Sequence, residues 1–224
     1  MMSSSDVSVV LVHGAWADGS SWSKIIRSLV DDGLNVSAPP LPLTSFQDDV
    51  AALDRALERV PGPVVLAGHA YAGAVIAATR SDKVRALVYV AALAPDEGET
   101  VADVFYRTEP HPQAPKLAPD DHGLIYLPDT AFGAAFAQNG AAQELAVLAA
   151  VQRPISPACI TVAVPRPLWA QAEPAVWRDA KPRATRGRRP GSGARRWCKS
   201  SGFEDQGWRV QAHPALSLAA HPRK

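Results

Sequence analysis

Val7 to Val12 is rich in β-branched and apolar residues, the pattern of a strand buried on both faces of a parallel sheet. A polar loop, His13 to Gly19, follows it. Trp22, Ile25, Ile26, Leu29 and Val30 then recur at helical spacing, with Ser20 and Ser21 as candidate caps and Gly33 where a helix would stop. Leu34 to Ala38 predicts a short second strand, halted by Pro39 and Pro40. Thr44 or Ser45 can cap a helix whose apolar face is Phe46, Val50, Leu53, Leu57 and Val60, and Pro61-Gly62-Pro63 ends it. Val64 to Ala67 predicts a third buried strand. The small residues Ala70, Ala72, Gly73 and Ala74 open a helix running to about Arg80, and Ala86 to Ala91 predicts a fourth strand. Strands alternating with helices imply an α/β protein with a mostly parallel, doubly wound sheet covered on both faces.

The rhythm changes at Pro95. From there to about Pro157 the strand-like runs give way to prolines, acidic residues and a helical stretch between Thr130 and Val151, which reads as an inserted helical lid at about 96–157. Phe132, Phe136, Leu145 and Leu148 read as packing within it. Arg183 to Arg196 is Arg, Gly, Pro, Ser and Ala without apolar periodicity, a composition that buries little surface, so the C-terminal part is expected to be atypical or disordered. The domain reading is one core over 1–181, lid included, and a basic tail over 182–224.

Charge sharpens that boundary. Residues 1–177 carry 11 Lys/Arg against 19 Asp/Glu, and residues 178–224 carry 12 against 3, so a net charge of +1 conceals two chemically different segments. Cys159 and Cys198 are too few and too far apart for a disulfide framework or a zinc site, and no metal or cofactor is implied. The Val7 to Val12 run is far shorter than the ~20 residues that span a bilayer, which leads to the expectation of a soluble, cytoplasmic protein.

Three motifs carry chemistry: His13-Gly14-Ala15-Trp16 after the first strand, Gly68-His69-Ala70-Tyr71-Ala72-Gly73 after the third, and Leu87 to Glu99 from the fourth onward. In this order and spacing, over about residues 7 to 177, they resemble the α/β-hydrolase superfamily, in its compact esterase-like branch akin to methyl esterases and hydroxynitrile lyases. The resemblance implies an α/β-hydrolase fold in which the Gly68 to Gly73 turn lifts a serine to the top of the sheet. Here Ala70 holds that nucleophile position, and its methyl group cannot attack a carbonyl. The resemblance further implies an oxyanion hole from the backbone N–H groups of Ala15 and Tyr71, neither of which needs a side chain. Pocket positions are His13, Gly14, Trp16 and His69. Among them His13 reads as a loop-supporting histidine, and His69 as directed away from the pocket. Trp16 and Tyr71 read as pocket lining.

The family's acid and histidine would follow late strands beyond the lid. Here Lys181-Pro182 leads into arginines. Only Glu204 and Asp205 remain as acids in that tail, and Ala212-His213-Pro214 faintly resembles the family's terminal Ser-His segment, which makes His213 the candidate catalytic histidine. One account of the change is an out-of-frame reading of a GC-rich gene. In a frame displaced by two bases and with GC-favoured codons, Trp197-Cys198-Lys199 gives Val-Gln, and Ala194 to Ser201 becomes strand-like. A rival account is a phosphate-binding basic block, but aromatics are sparse there and no nucleic-acid module is present, so neither nucleic acid nor membrane is an expected partner. The functional expectation is an esterase-like protein for a small ester or carbonyl ligand with ordinary serine catalysis lost. The alternatives are a non-catalytic binder and an inactive product of a frame-shifted gene.

Overall fold

Four strands, β1 (Ser8–Val12), β2 (Asn35–Ser37), β3 (Val64–His69) and β4 (Val84–Val90), form one sheet in the order β2-β1-β3-β4, and every described pairing is parallel. The computed structural model describes residues 7–107, 114–136 and 140–171. The tail 182–224 and His213, on which the expectations of disorder, frame shift and a late catalytic histidine rest, lie outside the described residues.

The chain steps from β1 to β2 in one direction and from β2 through β3 to β4 in the other, so right-handed crossovers place helices on both faces. Side-chain alternation follows. Val10, Val12, Val64 and Leu66 face one cluster with Leu53 and Leu57 of α2 (Phe46–Arg59) and Val75 and Ile76 of α3 (Ala72–Ala78). Leu11 and Ala67 face the other, with Val9, Val88 and Val90 beside Trp22 and the Ile25, Ile26 and Leu29 face of α1 (Ser23–Asp31). Leu53, Leu57, Val75 and Ile76 are wholly buried, and truncating such a leucine to alanine costs about 2–5 kcal/mol.

Helix boundaries have local causes. Asp18, rather than Ser20 or Ser21, starts the first helical stretch: its carboxylate accepts the Ser20 N–H at 2.8 Å and caps a 3₁₀ turn, Gly19–Trp22, that leads into α1. Gly33, at φ 77°, closes α1, with Gly33 N–H donating to Val30 and Leu34 N–H to Leu29. Of the two cap candidates for α2, Ser45 is the cap, accepting the Asp48 N–H at 3.1 Å. At its other end Lys83 Nζ donates to the carbonyls of Leu57, Glu58 and Val60, a cation placed at the negative pole of the helix. The second strand is shorter than the apolar run at 34–38, and α3 is confined to Ala72–Ala78 rather than reaching Arg80.

Between 96 and 157 lie α4 (Val101–Phe105), α5 (Asp129–Phe136) and α6 (Ala142–Ala150). The helical stretch expected across Thr130 to Val151 is two helices, with Gly140 in a bend before the second. Phe132 is buried and packs on Phe136 at a ring separation of 5.0 Å. Antiparallel bridges Thr100 to Ala163 and Ile125 to Ile155 tie the start of this segment to its return, where a 3₁₀ turn (Pro157–Cys159) and α7 (Leu168–Gln171) follow. No helix among the described residues is long and apolar enough to cross a membrane.

Candidate functional site

The turn from β3 into α3 puts Ala70 at φ 49°, in the left-handed region. That conformation costs an L-residue about 1–2 kcal/mol, so the surroundings must enforce it. Ala70 N–H donates to Val90 O at 3.4 Å, and Ala70 O accepts from Gly73 N at 3.1 Å and Leu93 N at 2.9 Å. Close approach does the rest. A Cβ on Gly68 would lie 2.8 Å from Ala72 O, and one on Gly73 would overlap Leu93 O and stand 2.8 Å from the Ala92 methyl. The strand, the turn and the β4 exit therefore meet only because these two residues lack side chains.

The loop after β1 abuts the same turn. A Cβ on Gly14 would fall 2.9 Å from His69 O and 3.0 Å from the Ala70 Cβ, so Gly14, His69 and Ala70 are brought together. Trp16, at φ 58°, extends its indole N–H to Ile125 O at 3.0 Å and fixes the loop to the segment ahead of α5.

His13 is wholly buried, and both ring nitrogens are committed. Leu41 N–H donates to Nε2 at 2.9 Å, so Nδ1 carries the proton and donates it to Gly14 O at 2.9 Å. Burial holds its pKa below the ordinary value, the Arg153 charge lowers it further, and the bond to Gly14 opposes both. It is a neutral brace between two loops. His69 sets its ring edge-on to Trp22 at 6.3 Å, on the α1 side of the sheet, and burial pulls its pKa down to about 4.

Tyr71 shares the turn with Ala70, yet its side chain runs inward rather than lining a pocket. It is buried, and its hydroxyl donates to Asp49 Oδ2 at 2.7 Å. Asp49 is wholly buried too: Oδ1 accepts the Leu43 N–H at 2.7 Å, and the Cys159 thiol approaches Oδ2 at 3.6 Å. Burial raises the Asp49 pKa against these stabilising bonds. It also drives the Tyr71 phenol far above its ordinary range and pushes Cys159 up to about 12, with the Asp49 charge adding to both. Asp49 and Cys159 were not among the expected site residues, and Tyr71 was expected there only through its N–H and as pocket lining. The signal for Asp49 was present: it sits three residues after Phe46 and four before Leu53, inside the apolar stripe of α2.

A match to the model of the alpha/beta hydrolase family covers residues 9–223. The chain belongs to the α/β-hydrolase family. Solved structures of similar fold include a serine-to-alanine variant of the pyrethroid hydrolase PytH, 21% identical, with a TM-score of 0.59 over 71% of this chain and 72% of that one. Polyneuridine aldehyde esterase is 21% identical, with a TM-score of 0.58 over 68% and 69% of the two chains. A methylesterase from Arabidopsis is 16% identical, with a TM-score of 0.56 over 72% of each. No curated protein matches the sequence. The family match runs beyond residue 177, through the basic segment and His213.

Proposed function

We propose that this α/β-hydrolase holds a small ester or carbonyl ligand over the Ala70 turn without forming an acyl-enzyme. One observation carries the reading: the left-handed residue between β3 and α3 presents a methyl group. Loss of a serine nucleophile costs on the order of 10⁶ in turnover in a serine protease, leaving ~10³–10⁴ over water from binding and the oxyanion hole. Backbone donors survive such a loss. Tyr71 caps α3, so its N–H belongs to the unsatisfied first turn of a helix, and with the Ala15 N–H it would receive a carbonyl oxygen. The α5–α6 segment, with Phe132 at its centre, acts as the lid over an apolar ligand.

A second reading, an inactive product of a displaced frame, draws on the charge reversal near residue 178. The family match, which runs across that segment, favours the first. The experiment treats the full chain with p-nitrophenyl acetate and a fluorophosphonate, then measures melting with small esters and acids. The expected result is no turnover and no covalent adduct, with a ligand-dependent rise in melting temperature. A mass increment from the fluorophosphonate, or a burst of p-nitrophenol, sinks the reading. Ala70→Ser alone is expected to restore little turnover.

A further inference from the structure

A cavity of about 410 Å³ opens between the loop ahead of α2 and the end of α6, lined by Leu43, Thr44, Leu124, Val151, Gln152 and Arg153 among others. Ala70 does not line it. Its volume falls within the range of small-molecule sites, roughly 300–1,000 Å³.

Arg153 is the unusual member. Its Nε is buried and has no hydrogen-bond partner. The ion pairs among the described residues are Lys24 with Glu144 and Arg107 with Glu99. Arg153 has no carboxylate partner there, although acids outnumber cations across residues 1–177 by 19 to 11. Thr44, on the cavity wall, donates its hydroxyl to Asp48 Oδ2 at 2.8 Å. The uncompensated guanidinium charge is felt at buried His13, where it opposes protonation. A buried donor without an acceptor costs about 1–3 kcal/mol, and more when charged. An arginine without a carboxylate partner in an acidic body fits a position for an anion, which would meet the terminal N–H groups of the guanidinium because Nε itself is covered by protein.

The walls are fixed in advance. Leu43 stands at φ 59°, a strained conformation for leucine, held by its N–H on Asp49 and by its carbonyl accepting Ser156 N–H at 2.9 Å. Gln152 is pinned on both sides of its amide, accepting the Leu127 N–H at 3.1 Å and donating to the Leu127 carbonyl at 3.2 Å. This fixes the backbone from which Arg153 projects. The remaining lining is mostly apolar: Pro42, Leu43, Leu124, Val151 and Pro154. One planar cation set in an apolar cup matches a carboxylate, bonded in a fork by the guanidinium, carrying a compact apolar body.

We propose that this cavity is a binding site for a small carboxylate with an apolar body, anchored by Arg153 and separate from the Ala70 turn. The site does not depend on the reading of Ala70, so failure of one leaves the other standing. Benzoate is the probe, titrated calorimetrically into the full chain beside neutral benzyl alcohol and inorganic phosphate. Benzoate is expected to bind saturably at one site. Arg153→Gln should weaken it at least about tenfold, the scale of one charge-assisted bond, and benzyl alcohol should bind no better than it does to that variant. Ala150→Trp, a change at an exposed rim position, should also abolish benzoate binding while leaving the circular dichroism and melting temperature in place. This second variant decides the matter if Arg153→Gln fails to fold. The proposal is overturned if benzoate does not bind the native chain, if either folded variant binds it as the native chain does, or if phosphate binds more tightly than benzoate.

Discussion

Tyr71, the residue after the apex of the β3–α3 turn, donates its hydroxyl across 2.7 Å to Asp49 on the buried side of α2. The acceptor is wholly buried and serves the Leu43 N–H as well, so one carboxylate joins the turn, the second helix and the loop ahead of it.

Removing that carboxylate strands two donors. Asp49→Ala is expected to cost about 2–5 kcal/mol in urea unfolding, since each buried unsatisfied group costs roughly 1–3 kcal/mol. Asp49→Asn, which keeps an acceptor, should cost less. The raised Asp49 pKa means that the folded state binds a proton more tightly than the unfolded chain, so this group's contribution falls as pH climbs from its ordinary 3.8 through the raised value. Asp49→Asn should remove that slope. A loss under about 1 kcal/mol in the alanine variant would contradict the role assigned here.

His69 acts in the opposite direction. Its folded pKa of about 4 lies below the ordinary 6.5, so the unfolded chain takes up the proton first on acidification. Its contribution is complete above pH 6.5 and is lost as pH falls toward 4, by at most ~3.5 kcal/mol at about 1.4 kcal/mol per pKa unit. The difference between the native chain and His69→Gln, followed by unfolding at successive pH values, should shrink over that window. A flat difference would show that the ring titrates as it does in water.

Backbone strain at position 70 predicts an inversion of helix-propensity rules. Ala70→Gly relieves a left-handed alanine and is expected to be neutral or stabilising by up to about 1 kcal/mol. Ala74→Gly, inside α3, should cost roughly 1 kcal/mol for the flexibility added, and more because a buried methyl group is removed. Equal losses in denaturant titrations would mean that the turn is not strained.

Gly73→Ala sets its new methyl against the Leu93 carbonyl, where backbone rather than a flexible side chain must move. About 2–3 kcal/mol of destabilisation is expected, the upper range for overpacking. Gly33→Ala has open space but a φ of 77°, so it carries only the left-handed strain of ~1–2 kcal/mol. Melting temperatures of the two variants give the order directly.

Much of this architecture was legible in the sequence for a simple reason. Strands buried on both faces, such as Val64 to Ala67, need apolar residues at every position, and that pattern has few other meanings. The turn at Ala70 was equally readable, because Gly68 and Gly73 mark close backbone contact whatever residue lies between them. What escaped depended on partners far along the chain. Asp49 stands in the apolar stripe of α2, but its partners Tyr71 and Cys159 converge on it only in the fold, and Arg153 looks like an ordinary cation until its buried Nε is seen to lack an acceptor. The left-handed conformations of Trp16 and Leu43 carry no glycine to announce them. The start of the first helix at Asp18 was missed because a 3₁₀ turn displaces the cap from the helix it serves.

The contact between Gly14 and Ala70 has a consequence for engineering. The direction in which residue 70 points is fixed by main-chain neighbours and by an absent Cβ on the facing loop, with no help from residue 70's own side chain. The position is therefore a socket, into which a short side chain of different chemistry can be set without rebuilding the fold around it.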